Sequence, residues 1–522
     1  MMDVNQGDTS IIHSLLLNAI DLGQAWWYII LPLLVCIRYL ARRYASPLRR
    51  YPGPALASYS RLWKVLSVAS SHTELDHIAL HRRYGPIVRI APNELSFSSP
   101  KIAREILAAG KGFHKTDFYS VFPPPENPDI FTETRELVHA QKKRIAAPPY
   151  SLNAMLHQSP YIDDLVNLMV SKLDVYANQP ENICNLGDWL HFLPFDVIGE
   201  VAFGHKYGFL DSGTDWCNVI QFIDDVQWYN GIVGQVPFVH PFLLNNPIFK
   251  ALYKMKYGVP VTMQMALEEI ETRKPFKTKV FQHDERKDLL DSLIQAHVAT
   301  PDRFSEGDVF AVCHGAIGAG ADSTASTMQS FFFLLLKHKA VYTKLRSEID
   351  AAYDSGKLSY PNVQWREAQT NVPYFQACLK ESMRLRPAVG LNISRQVPAT
   401  GAEIDGKWFP GGTRLAVNGW VLHRDKEMFG QDADLYRPER WLEDLEKARI
   451  MERHMFQFGG GSHVCLGRHL ALLEINKVLL RLLLEYSIRL AYPDRPIEYH
   501  STFFVIQKGL EVYLEKRRNL CC

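Results

Sequence analysis

The chain has 522 residues, 47% of them hydrophobic, and its 58 Lys and Arg nearly balance its 56 Asp and Glu, which gives a net charge of +2. This length exceeds what one core needs, and the absence of a basic block after residue 60 argues against a nucleic-acid-binding protein. The eight cysteines show no C-x-x-C spacing and are interpreted as reduced thiols of a cytosol-facing protein.

An apolar run near the N-terminus, Ala25–Ile37, extends to about residues 19–40 and has the length of one bilayer crossing. Three acids and no Lys or Arg precede Arg38, and five arginines lie between residues 38 and 50. This asymmetry predicts a single transmembrane anchor within residues 1–43, with the C-terminal bulk in the cytosol. A cleaved signal peptide is the alternative, although a basic N-terminal region and a clear cleavage site are lacking.

A basic, proline-rich hinge is predicted over residues 44–58, because Pro52 and Pro54 fix the backbone and disfavour a helix before them. One large domain is then expected over residues 59–522. Its pattern is mainly helical and contains no internal repeat. The predicted fold class is therefore mainly α with small β sheets.

The strongest helix signal begins with the capping-box pattern Ser305–Asp308 and continues to Leu336 without a proline. Gly315, Gly318 and Gly320 lie in its middle, where each glycine costs about 0.5–1 kcal/mol relative to alanine. Two explanations remain open. The helix is pressed against something flat and bulky or bent there, or it crosses another helix at small residues.

Shorter patterns predict the remaining elements. We expect a hairpin of Val88–Ala91 with Glu94–Phe97, a proline-rich loop at residues 122–128, a helix over Pro373–Arg384, strands around Ser394–Val397 and Thr413–Val417, a helix over Gly467–Tyr486, and a terminal hairpin of Thr502–Ile506 with Leu510–Leu514. Because these strands are few and short, small sheets are expected beside a larger helical body.

A single cysteine, Cys465, follows the triple-glycine turn Gly459–Gly461 at the point where an apolar helix is expected to begin. Unpaired N–H groups and the macrodipole at a helix N-terminus favour an anion and lower the pKa of a thiol. The arrangement suits one thiolate bound to a metal on its open side. It does not suit a disulfide, which needs a partner cysteine.

Three further motifs precede this cysteine: Ala319–Thr324 in the long helix, the E-x-x-R of Glu381–Arg384, and Tyr436–Trp441. Alone, Glu and Arg three apart on a helix usually form a weak surface pair. In this order with the cysteine loop, the motifs resemble those of the cytochrome P-450 family, the haem-thiolate monooxygenases. The resemblance covers almost the whole chain. It is nearest to fungal secondary-metabolism enzymes of the pisatin demethylase type, through Leu80–Pro86 and Asn418–Asp425.

The resemblance implies haem b as the cofactor, with Cys465 as the axial ligand of the iron. The other cofactor-binding residues that it implies are Lys143, Arg144, Arg395 and His463 at the propionates, and Phe458 and Gly461 beside the thiolate. It also implies a buried structural triad of Glu381, Arg384 and Arg440, since buried charges must be paired and arginine offers a planar fork. An ordinary surface position remains an alternative for Lys143 and Arg395.

The resemblance further places Asp322 and Ser323 where the family has an acid and a hydroxyl that relay protons to bound oxygen. The commonest pattern has threonine directly after the acid, whereas here serine stands there and Thr324 follows. Ser323 and Thr324 therefore both remain candidates for the catalytic hydroxyl. A solvated or capping carboxylate is the alternative for Asp322.

The implied substrate-facing segments are Phe113–Thr134, residues 205–245, Gly315–Asp322, Gly390–Ser394 and Phe503–Phe504. They are largely apolar or aromatic, as a pocket for a lipophilic molecule requires. The same aromatic residues would also suit an ordinary core, so this part of the prediction depends on where the chain places them.

The implied function is NADPH-dependent insertion of one atom of O2 into a lipophilic secondary metabolite in a fungal pathway, at the endoplasmic reticulum membrane. Electrons would come from a membrane-bound NADPH–cytochrome reductase, with cytochrome b5 as a second candidate donor, because the chain has no G-x-G-x-x-G motif or flavin domain of its own. Two alternatives remain. One is an O2-independent haem-thiolate isomerase or dehydratase, and the other is a non-catalytic, membrane-anchored haem- or lipid-binding protein.

Overall fold

A computed structural model describes residues 7–122, 127–179, 181–257, 260–273 and 286–517. The described chain consists mainly of helices, with four small sheets, which confirms the predicted fold class in this respect. Part of the predicted proline-rich loop, residues 123–126, lies outside the described residues.

The helices occupy most of the described chain. In chain order they are α1 (Gly7–Tyr44), α2 (Ala55–Tyr59), α3 (Leu62–Ala69), α4 (Thr73–Tyr84), α5 (Pro100–Ile106), α6 (Glu136–Ala146), α7 (Leu152–His157), α8 (Ser159–Ala177), α9 (Leu186–Phe203), α10 (Phe209–Ser212), α11 (Val219–Val233), α12 (His240–Asn245), α13 (Pro247–Tyr257), α14 (Val261–Arg273), α15 (Leu289–Ala299), α16 (Glu306–Lys337), α17 (Lys339–Asp354), α18 (Trp365–Thr370), α19 (Pro373–Leu385), α20 (Gly419–Leu422), α21 (Lys426–Phe429), α22 (Leu445–Arg453) and α23 (Arg468–Glu485). The predicted helices in the second half correspond to α16, α19 and α23.

The strands are short. They are β1 (Ile87–Ala91), β2 (Glu94–Phe97), β3 (His114–Lys115), β4 (Cys184–Asn185), β5 (Ile393–Gln396), β6 (Ala402–Ile404), β7 (Lys407–Phe409), β8 (Arg414–Val417), β9 (Tyr486–Leu490), β10 (Glu498–Ser501), β11 (Val505–Lys508) and β12 (Glu511–Lys516). The largest sheet has the order β1-β2-β8-β5-β3, and the others are β4-β12-β9, β10-β11 and β6-β7. The antiparallel pairing of β1 with β2 confirms the first predicted hairpin.

The predicted terminal hairpin is wrong. β11 pairs with β10, and β12 pairs with β4 and β9, so the two strands belong to different sheets. Gly509 between them has a φ of +76°, a left-handed conformation that glycine adopts without steric cost. The chain therefore changes sheet at this turn instead of folding back on itself.

The main hydrophobic core joins α8, α9, α16, α19 and α23. Helix α16 begins with the predicted capping box, in which Ser305 and Asp308 each accept the other's backbone N–H. A Cβ at Gly320 would overlap the side chain of Ile198 in α9, whereas Gly318 has open space beside it. The close crossing of α16 with α9 thus explains Gly320, and an open face of α16 explains Gly318.

The N-terminal helix α1 carries large apolar side chains between Trp26 and Leu40 that are exposed. Among the helices that the structure describes, none combines the length and apolarity needed to cross a bilayer, and the predicted anchor is not confirmed. The proline-rich segment that follows is attached to the large domain. The Arg89 N–H donates to the Pro52 carbonyl oxygen at 2.7 Å, and Gly53 lies so close to Arg89 that a Cβ would overlap its carbonyl.

Candidate active site

A large cavity of about 1090 Å³ lies inside the described part of the chain. It is lined by Cys465 with its neighbours from Phe456 to Gly467, and by residues of α16 between Gly315 and Thr327. Most of its wall is apolar. The fold therefore brings the cysteine loop and the long helix, which are far apart in sequence, to one cavity.

Cys465 lies in a hydrogen-bonded loop just before α23, and its side chain is accessible from the cavity. Its N–H donates to the Phe458 carbonyl oxygen at 2.8 Å, which closes the loop. Burial raises the pKa of the Cys465 thiol, whereas the N–H groups of Gly467 and Arg468 and the Lys143 cation act in the opposite direction. These donors stabilise negative charge on the sulfur, as a thiolate ligand of a metal requires.

Gly461 is the position at which this loop has no room for a side chain. Its φ is +61°, and a Cβ would overlap the carbonyl oxygen of Leu107, just after α5. A residue other than glycine pays roughly 1–2 kcal/mol for the left-handed conformation alone. The contact with Leu107 thus supports the prediction that Gly461 shapes the loop beside the thiolate.

Gly461→Ala is expected to destabilise the fold by roughly 2–4 kcal/mol, because backbone strain and overpacking add, and to reduce the haem content of the purified protein. Thermal unfolding and haem absorbance per mole of protein measure both effects. The matched control is Gly406→Ala, in the turn between β6 and β7, since Gly406 has a similar φ of +66°, no atom within 4 Å of an added Cβ, and does not line the cavity. Equal behaviour of the two variants would contradict the assignment.

Glu381, Arg384 and Arg440, the residues of the predicted triad, lie in contact, and their side chains are almost completely buried. Arg384 donates from Nε and Nη2 to the two carboxylate oxygens of Glu381, each at 2.8 Å, and Arg440 Nε donates to the same carboxylate at 2.9 Å. Two partners were not predicted. Trp441 Nε1 donates to Glu381 at 2.9 Å, and Asp432 accepts from Arg440 at 2.9 Å.

His423 connects this triad to the cysteine loop. Arg384 Nη1 donates to the His423 carbonyl oxygen at 2.6 Å, and the His423 ring accepts the N–H of Phe456 at 2.8 Å. Phe456 is the first residue of the loop that leads to Cys465 and itself lines the cavity. The buried charges therefore fix the start of the loop through one fully buried histidine.

Two of the predicted propionate ligands lie at the cavity with further donors to offer. Lys143 Nζ donates to the carbonyl oxygens of Ser462 and Val464, at 2.8 and 2.7 Å. An ammonium group has three donors, so one remains for a ligand. Arg395 is buried in β5 and donates from Nη1 to the Ser394 carbonyl oxygen at 3.0 Å. Both side chains line the cavity, which disfavours the surface alternative for each.

His463 also lines the cavity, and its Nε2 lies 3.1 Å from both carboxylate oxygens of Glu136. Its ring packs against His139, with ring centroids 4.2 Å apart. Among the described residues, the Nδ1 atoms of both rings are buried without a hydrogen-bond partner. Buried polar atoms are rarely left unpaired, so these two nitrogens fit a bound carboxylate group.

The structure does not bring Arg144 to the cavity. Successive residues of a helix point about 100° apart, and Arg144 is exposed while its neighbour Lys143 faces inward. Sequence reasoning also missed Lys115, which lines the cavity and is buried. Burial lowers the pKa of Lys115 to about 7. Its ammonium donates to three carbonyl oxygens of residues 130–133, at 2.8–3.1 Å, and so holds that loop in place.

Asp322 is buried and does not itself line the cavity. Its Oδ1 lies 2.9 Å from His191 Nε2 in α9, and its Oδ2 accepts from Gln227 Nε2 in α11 at 2.6 Å. Gln227 in turn accepts the Phe504 N–H at 3.1 Å, and both of these residues line the cavity. The alternative of a solvated carboxylate is thus excluded, and the acid is coupled to the cavity wall through Gln227.

Both candidate hydroxyls line the cavity. Ser323 Oγ donates to the Ala319 carbonyl oxygen at 3.1 Å, and Thr324 Oγ1 donates to that of Gly320 at 2.9 Å. Thr324 is only 2% exposed, whereas Ser323 is half-buried. The serine hydroxyl is therefore the more accessible of the two from the cavity.

Aromatic side chains form much of the remaining wall. Phe122, Phe131 and Phe503 line the cavity, and their ring centroids lie 5.3–6.0 Å from one another. Such edge-to-face contacts stabilise a cluster beyond simple burial. These residues come from two of the segments predicted to face the substrate, and their aromatic rings form part of the cavity wall.

The cavity has the chemistry that haem requires. It offers one thiol supported by backbone N–H groups, basic side chains and unpaired imidazole nitrogens for carboxylates, and an apolar wall for the macrocycle. Cys465, Lys143, Arg395 and His463 would hold the group. Phe458 also lines the cavity, while Gly461 is required by the backbone of the loop.

Comparison with known proteins agrees with this chemistry. A family model described as cytochrome P-450 matches residues 52–513. The chain is 33% identical over 477 residues to the cytochrome P-450 monooxygenase cicH of Emericella nidulans, covering 91% of this chain and 95% of that protein. It is 33% identical to gsfF of Penicillium aethiopicum (91% and 95% covered) and 32% identical to mfmA of Annulohypoxylon moriforme (93% and 95%). The chain therefore belongs to the cytochrome P-450 family of haem b monooxygenases.

Proposed function

We propose that this chain inserts one oxygen atom from O2 into a lipophilic secondary metabolite, with electrons delivered from NADPH by a separate reductase. The observation that carries the proposal is that the Cys465 thiol and the Ser323 hydroxyl line the same, mostly apolar cavity. The relatives named above, which are monooxygenases from fungi, support a fungal biosynthetic role.

Haem b supplies the one-electron and oxygen-activating chemistry that protein side chains lack. Cys465 would hold its iron through the thiolate, with the N–H groups of Gly467 and Arg468 tuning the charge on the sulfur. Lys143 and Arg395 would hold its propionates. In this arrangement the protein's own tasks are to exclude water, orient the substrate and deliver protons.

Proton delivery is assigned to Ser323 and Asp322. Ser323 Oγ faces the cavity and is the group that would pass a proton into it. The Asp322 side chain, one residue earlier, would take up a proton that comes from solvent and resupply it to Ser323, with His191 and Gln227 fixing its orientation. A positioned acid of this kind contributes roughly 10²–10⁴-fold to a rate.

Ser323→Ala is expected to lower the amount of product formed per NADPH consumed by at least about tenfold, because reducing equivalents are then lost as peroxide or water. Thr324→Ala is expected to change this ratio much less, since Thr324 is the more buried hydroxyl. The substrate for the assay is found by comparing metabolites of a deletion strain with those of its parent. A larger effect at Thr324 would assign the role to that residue instead.

Dependence on O2 tests the proposed function against both alternatives. Purified chain, reductase and NADPH are incubated with the metabolite extract under isotopically heavy O2. The proposal predicts a product that carries one heavy oxygen atom and that requires NADPH. Unlabelled product without NADPH would identify an isomerase or dehydratase, and absence of product with any reductase would favour a binding protein.

We also propose that residues 1–43 attach the chain to the endoplasmic reticulum membrane and that residues 44–58 link this segment to the catalytic domain in the cytosol. The proposal is supported by the exposed apolar side chains of α1 between Trp26 and Leu40 and by the arginines that follow. The full chain should then remain with the membrane fraction in high salt and leave it in detergent. Release by salt alone would contradict this.

A further inference from the structure

A polar patch lies in the cavity wall, separate from the residues assigned to haem and to proton delivery. It consists of Asp129, in the loop before α6, His314 on α16, and Thr262 on α14, all of which line the cavity. Thr262 Oγ1 lies 3.2 Å from His314 Nε2. Most of the surrounding wall is apolar, so this patch is a place where a polar group of a substrate would find a partner.

Other polar side chains of the wall are engaged with one another. Asp225 is paired with Lys256 at 2.7 Å, and Tyr229 Oη lies 2.9 Å from His240 Nδ1. Charged or polar groups that satisfy each other in this way offer less to a ligand. Asp129 differs from them, because only one of its carboxylate oxygens is occupied by the protein.

Asp129 Oδ1 accepts from the Thr132 N–H and from Thr132 Oγ1, both at 2.7 Å. Within the described residues, no donor reaches Oδ2. The loop that carries it is held by Lys115, whose ammonium binds the carbonyl oxygens of Ile130, Phe131 and Glu133. Oδ2 is thus a fixed acceptor rather than the end of a mobile side chain.

Gly315 allows this oxygen to approach α16. A Cβ at Gly315 would lie only 2.6 Å from Asp129 Oδ2, so any side chain there would displace the carboxylate. Neither the crossing with α9 nor the open face of α16 explains Gly315. The close approach of the Asp129 carboxylate explains why this position is glycine. From Gly315 to Ser323 is eight residues, or about 12 Å along the helix axis at 1.5 Å per residue.

We infer that Asp129 Oδ2 is a specificity-determining acceptor that binds an O–H or N–H group of the substrate. The inference rests on the proposed function and names its substrate class, an elongated lipophilic molecule that carries a hydroxyl, phenol or amine about 12 Å from the position beside Ser323. Charged acceptors bind such donors strongly when water is excluded. His314 and Thr262 would lie beside the same O–H or N–H group of the substrate.

Binding of matched probes tests the inference without turnover. The purified, haem-loaded full chain is dialysed to equilibrium against 4-phenylphenol or its methyl ether, and against 1-dodecanol or its methyl ether, without reductase or NADPH. The wild type is expected to bind at least one alcohol roughly tenfold more tightly than the corresponding ether. Equal affinities within both pairs would overturn the inference, whereas the proposed monooxygenase activity would be unaffected by that result.

Two variants make the test specific. In Asp129→Asn, the amide oxygen stays with Thr132, so an NH2 group replaces Oδ2 and the preference for alcohols should disappear. Thr132→Val, the control, removes the two hydrogen bonds of the Thr132 hydroxyl, which donates to Oδ1 and accepts the Asp129 N–H, but leaves Oδ2 in place and should retain the preference. Haem content establishes that each variant is folded. A preference that survives in Asp129→Asn, or that is lost equally in both variants, would overturn the assignment of Oδ2.

Discussion

Glu381→Ala is expected to yield protein with almost no bound haem and a fold weakened by roughly 3–5 kcal/mol. The carboxylate is completely buried and accepts from Arg384, Arg440 and Trp441. Removing it leaves two guanidinium groups inside the protein without their shared counter-charge, and breaking a buried pair in this way is costly. Domains are stable by only about 5–15 kcal/mol in total, so this loss is large.

The loss of the Glu381 carboxylate should prevent the incorporation of haem rather than slow the reaction that the loaded protein catalyses. The triad reaches the cysteine loop through Arg384, His423 and Phe456, so its failure releases the segment that positions Cys465. Haem absorbance per mole of protein and the thermal midpoint are the measurements. Glu452→Ala is the matched control, because its ion pair with Lys380 is solvent-exposed and such pairs contribute about 0–1 kcal/mol. Full haem content in Glu381→Ala would show that the triad has no such role.

Local signals were sufficient for several parts of the fold. The capping box at Ser305 and the absence of proline after it correctly predicted α16, and two short segments on either side of Pro92 predicted the β1–β2 hairpin. The cysteine loop is also predictable from local sequence, because the glycines, Cys465 and the helix that follows form one contiguous segment. These features depend on neighbours in sequence, which is why a single chain reveals them.

Long-range contacts could not be predicted in the same way. The partners of Asp322 are His191 and Gln227, 131 and 95 residues away, and nothing in their local sequence marks them. The register of β12 depends on β4 and β9 rather than on the adjacent β11. The family resemblance of the segment from His139 to Arg144 assigns both Lys143 and Arg144 to the propionates, but adjacent helical residues face different directions.

Cys465→Ala is the second change with a large expected effect. It removes the thiolate that would hold the haem iron and supply electron density to it. Product formation should fall below detection even where some haem is retained by Lys143 and Arg395. The buried thiol Cys313, on α16 and outside the cavity lining, provides a control in Cys313→Ala, which should retain turnover at lowered stability.

The absorption spectrum of the reduced, carbon monoxide-bound protein tests the identity of the ligand most directly. The wild type and Cys313→Ala should show the long-wavelength Soret band that thiolate-ligated haem gives. Cys465→Ala should lack it, or show the shorter-wavelength band of haem without a thiolate ligand. Persistence of the thiolate band in Cys465→Ala would contradict the assignment of Cys465 as the iron ligand.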